Sequence, residues 1–170
     1  MCLTINLCKE DGKGGLYMFK GVAVKSLSLV EIDHWQSNQH EFHGVTALKK
    51  IFGYDRQYFK GEFYYVEQSG KIIKDVNIGE LTWYDAREYS IDRSEYRFYY
   101  TNNIAVNMAH AGDVLLVALC DDNVVKIIVI ERGTQFIDVI KYALGLTTID
   151  EKYYLIEDFE LMEGMFKLFK

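Results

Sequence analysis

Three charged side chains occupy alternate positions of one short, aromatic-rich segment. The segment runs from Arg93 to Thr101 and is typical of a β-strand, in which successive side chains point to opposite faces. Arg93, Glu95 and Arg97 are therefore expected on one face, about 6.6–6.8 Å apart. That spacing is close to two base-pair steps of duplex DNA, each of which rises about 3.4 Å. Arginine donates two bonds to guanine and glutamate accepts one from cytosine, so the row predicts readout of C·G pairs in a major groove.

The other face of this predicted strand carries the side chains expected to pack inward, Ser94, Tyr96, Phe98 and Tyr100. A second interpretation of the charged face stays open. The strand could face solvent while its Arg and Glu side chains pair with charges on neighbouring strands, each pair contributing only about 0.2–1 kcal/mol.

The composition limits the classes of protein to consider. The chain has 170 residues, of which 49% are hydrophobic and 15% aromatic, enough for one domain with a substantial core. Its formal net charge of −6 argues against non-specific nucleic-acid binding, which needs a broad excess of Lys and Arg. Any contact with DNA is therefore expected to be local. The Tyr and Phe rings could supply stacking platforms for single strands, although most are expected in the core.

The cysteines and the N-terminal segment predict a cytoplasmic location. Cys2, Cys8 and Cys120 are odd in number and unpatterned, which favours a reducing compartment, with Cys120 buried rather than nucleophilic. Acidic and glycine residues at Glu10 to Gly15 stand where a signal peptide needs an apolar run, and no segment is long enough to cross a membrane. No membrane partner is expected.

Apolar periodicity and turn residues predict several strands with short helices between them. The predicted strands are Tyr17 to Ile32 with a bulge, Gln57 to Gln68, Gly79 to Glu88, Arg93 to Thr101, Asp113 to Cys120 and Val124 to Glu131. The predicted helices run from Val45 to Phe52, stopped by Gly53, from Ile104 towards Gly112 behind an Asn102-Asn103 cap, and from Thr134 to Gly145; Asp33 to Gly44 is predicted as a polar loop. This order favours an α+β fold, an open and mostly antiparallel β pseudobarrel with short helices capping its ends.

Three regions follow from this pattern. Residues 1–16 are expected to form a flexible leader or an edge strand, and residues 17–146 the barrel domain. Residues 147–170 are expected to form a C-terminal extension that packs on the barrel or leads to another domain.

Metal and nuclease chemistry find little support in the spacing of the candidate ligands. His34, His40, Glu41 and His43 match neither the paired pattern of structural zinc nor the helical motif of hydrolytic zinc. As loop polar groups these side chains could equally contact phosphates or base edges. The acid-x-Lys pairs of a magnesium nuclease occur only at Asp11-x-Lys13 and Asp150-x-Lys152, and neither lies in the required strand context. No metal or cofactor is expected for this domain.

Short motifs in a consistent order resemble the N-terminal effector domain of EcoRII-type (type IIE) restriction endonucleases. They comprise Val24 to Ser28 leading into Ser37 to Phe42, Trp83 to Arg87 leading into Arg93 to Arg97, the strand Gly112 to Leu116, and the helix end Ala143-Leu144-Gly145. The similarity runs from about Val22 to Gly145. At Ile91 and Tyr96 the chain departs from the family, which can show basic residues there.

The resemblance implies a DNA-binding pseudobarrel that grips the major groove of double-stranded DNA with two arms and activates a separate C-terminal nuclease domain. It implies that this chain is a recognition domain rather than an enzyme, with a short GC-flanked site of the CC-A/T-GG kind and magnesium needed only by the nuclease. The DNA-binding residues expected from the motifs and the resemblance together are Lys25 as a phosphate contact, then Trp35, Ser37, Asn38, Gln39, His40, Glu41, Arg87, Arg93, Ser94, Glu95, Tyr96 and Arg97. Two alternatives remain, a small magnesium-dependent nuclease and a protein-interaction barrel that does not bind DNA.

Overall fold

The computed structural model describes residues 19–32, 40–44, 46–120 and 122–156. In chain order the elements are β1 (Phe19–Ser26), α1 (Leu29–Ile32), β2 (Glu41–Gly44), α2 (Thr46–Phe52), β3 (Gln57–Val66), β4 (Ile72–Lys74), β5 (Gly79–Asp85), β6 (Tyr96–Tyr100), α3 (Ile104–Met108), β7 (Val114–Cys120), β8 (Val124–Ile130), α4 (Gln135–Leu144) and β9 (Tyr154–Ile156).

The strands form one strongly curled, mixed sheet in the order β2-β6-β5-β3-β8-β7-β1-β9, with β4 paired to β3. The pairing of β3 with β8 is parallel, and the other described pairings are antiparallel. The predicted α+β class is confirmed. The parallel pair joins two antiparallel groups of strands, so the sheet is more mixed than the sequence pattern predicted.

The curled sheet encloses the larger of two apolar clusters. Aromatic side chains dominate it where β5, β6 and α2 meet, with Phe52 stacked on Phe98 and Trp83 stacked on Tyr96 at ring-centroid distances of 4.8 and 5.1 Å. The second cluster lies on the opposite face of β1, β7 and β8, where Phe136, Ile137 and Ile140 of α4 cover it. Burial on both faces explains why β7 and β8 read as continuous apolar runs.

Several predicted boundaries are confirmed, and each has a local cause. Helix α2 ends at Gly53 and α4 at Gly145, both with a positive φ that glycine adopts without strain. The β7–β8 hairpin turns at Asn123, whose φ is 61°. Asn103 caps α3 by accepting a hydrogen bond from the amide of Val106 at 2.9 Å.

Other predicted boundaries are wrong where tertiary contacts override the local pattern. The predicted strand from Tyr17 to Ile32 ends at Ser26, and the chain turns into α1. Residues 41–44, predicted as loop, form β2 because Phe42 enters the core and the segment pairs with β6. The stretch between the predicted strands Gln57 to Gln68 and Gly79 to Glu88 contains the short strand β4, which was not predicted. The bulge predicted in β1 is present as a register shift between Phe19 and Gly21.

The C-terminal part of the described chain contributes β9, which pairs with β1. The predicted leader, residues 1–16, and residues 157–170 lie outside the described residues. None of the described helices has the length and apolar character needed to cross a membrane. Cys120 is buried as predicted, but it is bonded in a disulfide, which corrects the expectation of unpaired cysteines in a reducing compartment.

Candidate functional site

The connection between β5 and β6, residues 86–95, is anchored at its base by one carboxylate. Asp85 Oδ1 accepts hydrogen bonds from the backbone amides of Arg87 at 2.9 Å and Glu95 at 2.7 Å. The amide of Ala86 donates to the carbonyl of Glu95 at 2.8 Å. These bonds extend the β5–β6 ladder by one step, so the connection leaves the sheet from a fixed base.

Within β6 the side chains alternate as the sequence predicted. Tyr96, Phe98 and Tyr100 are buried in the core, which confirms their predicted inward direction, whereas Arg97 and Tyr99 lie on the outer face. The strand begins at Tyr96, not at Arg93. Ser94, predicted to point inward, is exposed because it lies in the connection and not in the strand.

The row of three evenly spaced charges is therefore corrected. Arg93 is an exposed residue of the connection, with no hydrogen bond or ion pair within the described ranges. Glu95 and Arg97 flank the start of β6 and bond to each other, with Arg97 Nη2 and Nε at 2.8 and 3.2 Å from Glu95 Oε1. The regular spacing expected between alternate residues of a strand therefore applies to Glu95 and Arg97 only.

Glu41 of β2 completes a charged cluster around Arg97. Arg97 Nη1 donates to Glu41 Oε2 at 2.8 Å, and the hydroxyl of Tyr84 donates a short hydrogen bond to Glu41 Oε1. On the other side, Arg87 Nε donates to Glu95 Oε2 at 2.6 Å. The five side chains Glu41, Tyr84, Arg87, Glu95 and Arg97 are called the arginine cluster below.

The arginine cluster shifts the ionisation of its members. Hydrogen bonds from Arg87 and then Arg97 lower the pKa of Glu95 to about 2. Burial and the hydrogen bond to Glu41 raise the pKa of Tyr84 to about 12. The bonds to Glu95 and Glu41 raise the pKa of Arg97. At neutral pH the carboxylate of Glu95 is therefore ionised and the phenol of Tyr84 is neutral.

The two segments that were predicted to act together lie side by side. Strand β2 pairs with β6 in antiparallel register, with His43 opposite Arg97 and Glu41 opposite Tyr99. Just before β2, the His40 carbonyl accepts from the Tyr100 amide at 2.9 Å, and the His40 ring meets the edge of the Tyr100 ring at 5.7 Å. The predicted residues Trp35, Ser37, Asn38 and Gln39 lie outside the described residues.

Lys25 has a different environment from the one predicted. Its side chain is buried, and Nζ lies 2.6 and 2.8 Å from the two carboxylate oxygens of Glu31. Glu31 Oε2 also accepts from the amide and the hydroxyl of Ser28, at 3.0 and 2.9 Å. An ammonium held in this way does not fit the predicted phosphate contact, because it is shielded from solvent and already neutralised. Lys25 therefore does not belong to the candidate site.

Tyr96 is likewise unsuited to touch a ligand directly. Its ring stacks on Trp83 in the core, and its hydroxyl donates to the carbonyl of Tyr54 at 2.9 Å. Of the predicted residues, the structure brings together Glu41, Arg87, Glu95 and Arg97, with His40 next to them on the backbone. Sequence reasoning missed Tyr84 and Asp85 as members of the site, although both lie in a segment whose aromatic and acidic composition marks a strand end.

The histidines considered as metal ligands do not form a metal centre in the described part of the chain. His43 is exposed on β2, and no group of three or more His, Cys, Asp or Glu side chains suited to a metal occurs among the described residues. His34 lies outside them.

No protein-family model matches the chain. No curated protein matches it either. The class that the structure defines is an α+β domain with a curled mixed sheet and a cluster of paired charges where β2, β5 and β6 meet.

Proposed function

We propose that this chain binds double-stranded DNA sequence-specifically in the major groove, through the arginine cluster and the 86–95 connection. The observation that supports the proposal is the ion pair between Glu41 and Arg97. It brings together two segments that the sequence suggested as the two arms of one interface. The curled sheet with helices packed at its ends supports assignment to the open pseudobarrel class.

The arginine cluster can exchange its internal hydrogen bonds for hydrogen bonds to a C·G pair. In the free protein the guanidinium of Arg97 donates to two carboxylates, and at a guanine it would donate to O6 and N7. A carboxylate that loses its arginine can accept from the cytosine N4 amine. Each bond that the cluster gives up is replaced by a bond of similar kind to DNA, so the net gain in affinity is small. At a wrong base the lost bonds are not replaced, so the penalty is large.

Arg93 supplies a second arginine without such an exchange. It is exposed on the connection and pairs with nothing in the described ranges, whereas Arg97 is about three-quarters buried. Arg93 is therefore the residue that contacts DNA first, and Arg97 reads a base once the surfaces have met. Arg87 is pinned to Glu95 and holds that carboxylate in place.

The biological role that fits this binding is that of an effector or recognition domain of a type II restriction endonuclease with a short GC-flanked site. In this role the chain does not cut DNA. Catalysis and magnesium belong to a separate C-terminal nuclease domain of a longer protein.

Selection from a randomised duplex pool at a stated salt concentration tests the proposal, since affinity for DNA depends strongly on salt. The expected result is an enriched short site containing C·G pairs. Arg93→Ala and Arg97→Ala should each relax the sequence preference, because a bidentate contact contributes about 1–3 kcal/mol of discrimination. Lys71→Ala is the matched control, since Lys71 is exposed beyond the opposite end of β3.

Affinity that does not change when C·G pairs are swapped would contradict the proposal. A protein-interaction barrel is the second candidate, and one observation favours it: in the described structure Glu41, Glu95, Arg87 and Arg97 neutralise one another, as an ion-paired protein surface does. Absence of an enriched sequence at low salt would favour that candidate.

A further inference from the structure

The outer face of β3, β5, β6 and β2 carries two exposed tyrosines that duplex readout does not use, next to Glu41, Tyr84 and Arg97 of the arginine cluster. The strand register places Tyr58 opposite Thr82, Thr82 opposite Tyr99, and Tyr99 opposite Glu41. The neighbouring row holds Tyr84, Arg97 and His43 in the same way, and a third row begins with Lys60 opposite Glu80. These positions are called the tyrosine face below.

The tyrosine face is open to solvent although its strands are firmly held from the other side. Tyr58 is 72% exposed and Tyr99 is 39% exposed, while Phe59, Trp83 and Phe98, which alternate with these positions, are buried in the core. Lys60, Glu80 and His43 are also exposed. A rigid sheet therefore presents two phenol rings outward.

The two rings are arranged to hold two flat groups at once. Tyr58 and Tyr99 lie two strands apart on the same row, a separation of about 9.4–9.8 Å between their backbones. Thr82, which is small, lies between them, and beside them is the ring of Tyr84, over which the Arg56 guanidinium lies at 5.0 Å. Aromatic rings and an arginine plane spread over a sheet suit the stacking of unpaired bases.

The charges of the tyrosine face are balanced, in contrast to the net charge of the whole chain. Glu41 is paired with Arg97, and Glu80 lies opposite Lys60. Arg56 pairs with Glu88 at 3.2 Å at the rim. The face therefore does not repel a phosphate backbone, and it has few cations to attract one, so stacking has to provide most of the binding.

We propose that the tyrosine face binds single-stranded nucleic acid by stacking unpaired bases on Tyr58 and Tyr99. This activity goes beyond duplex readout, and its two stacking rings lie outside the arginine cluster. Because few phosphates are neutralised, the affinity should fall only slightly with salt. A slope of log affinity against log salt concentration near −1 is expected, about that of one or two phosphate contacts on a single strand.

Fluorescence anisotropy with a labelled 15-nucleotide oligo-dT strand tests this proposal. Tyr58→Ala and Tyr99→Ala should each weaken binding by about 5-fold to 100-fold, the range seen when one stacking ring is removed. Tyr58→Phe and Tyr99→Phe keep the ring and should bind like the unchanged protein. Tyr142→Ala is the control, since Tyr142 is 87% exposed on α4 and lies off the tyrosine face.

The outcomes separate this proposal from duplex readout. No binding to oligo-dT at low salt would overturn it, as would equal binding by the Tyr58→Ala, Tyr99→Ala and Tyr142→Ala variants. An unchanged circular dichroism spectrum and melting temperature show that each variant folds. Selection of a duplex site that is sensitive to Arg93→Ala, with no binding to the single strand, would leave duplex readout intact and reject the tyrosine face alone.

Discussion

Arg97 and Glu41 lie 56 residues apart in the sequence, and their side chains meet at 2.8 Å between Nη1 and Oε2. The pair links β2, at one end of the described strand order, to β6. Both side chains are largely shielded from water, with 24% and 12% of their surface exposed. Because both charges are largely desolvated, such a pair costs more to break from one side than an exposed pair does.

Removal of the guanidinium should destabilise the protein, because it leaves two carboxylates facing each other. Arg97→Ala is expected to lower the free energy of unfolding by about 1–3 kcal/mol at pH 7. Urea unfolding measures this, with Arg93→Ala as the control, since Arg93 has no ion pair in the described ranges. Equal losses for the two variants would argue against a structural role for the pair.

The depressed pKa of Glu95 predicts a particular dependence of stability on pH. Its pKa falls from 4.5 in the unfolded chain to about 2 in the folded protein, through the bonds from Arg87 and Arg97. The contribution of Glu95 to stability is therefore fully present above about pH 4.5 and is lost as the pH falls towards 2.

A comparison of melting temperatures between the unchanged protein and Glu95→Gln tests this pH dependence. The difference should be constant from pH 5 to 7 and should shrink below pH 4.5. Glu80→Gln provides the control, because the side chain of Glu80 is exposed and lies outside the arginine cluster. A difference that stays constant down to pH 2.5 would show that Glu95 is not held as the structure describes.

The parts of the fold that the sequence predicted are those set by local signals. Gly53, Gly145 and Asn123 mark turns through their own backbone preferences, and alternation along β6 follows from strand geometry. Strand β2 was missed because its four residues carry too short a pattern, and only Phe42 and the partner strand make it a strand. No local signal could reveal it.

The candidate site was predicted in part, for a similar reason. Residue types and spacing singled out Glu41, Glu95 and Arg97, but they could not show that these charges bond to one another. The alternative interpretation, in which the charges pair with neighbouring strands, describes the free protein correctly. Lys25 was wrongly predicted as a phosphate contact. A basic residue in a predicted strand gives no sign that the carboxylate of Glu31, six residues later, binds it.

The carboxylate of Glu31 is expected to be a main anchor for the chain that leaves β1. It accepts hydrogen bonds from Lys25 Nζ and from both the amide and the hydroxyl of Ser28, and it is shielded from solvent. Glu31→Ala should lower the free energy of unfolding by about 3–5 kcal/mol, because it leaves a buried ammonium without a partner. Glu31→Gln, which keeps the acceptor oxygen, should lose less. Glu151→Ala, at an exposed position, provides the control.

Substitution of Lys25 distinguishes a lysine that stabilises the fold from a lysine that contacts a phosphate. Lys25→Met should reduce stability and leave the salt dependence of any DNA binding unchanged. A phosphate contact would instead change the slope by about one unit without loss of stability. That second result would restore Lys25 to the interface.

A second buried ion pair, between Glu62 and Lys126, holds the parallel junction of β3 and β8. The two residues are directly opposite in register, with Lys126 Nζ at 2.8 Å from Glu62 Oε2, and the hydroxyl of Tyr64 donates to the same carboxylate at 2.7 Å. Burial opposes the charge of Glu62, but hydrogen bonds from Lys126 and Tyr64 outweigh it and lower the pKa to about 2. For Lys126, burial dominates and lowers the pKa.

Single and double substitutions of this pair should therefore differ in the size of the stability that they lose. Lys126→Met alone leaves a buried carboxylate with weaker compensation from the half-exposed Lys74, and it should cost about 3–5 kcal/mol of unfolding free energy. The double substitution Glu62→Leu with Lys126→Met removes both desolvation penalties and should recover most of that loss. Chemical denaturation of the two single variants and the double variant measures the coupling. Additive losses in the double variant would show that the two charges do not stabilise each other across the parallel strands.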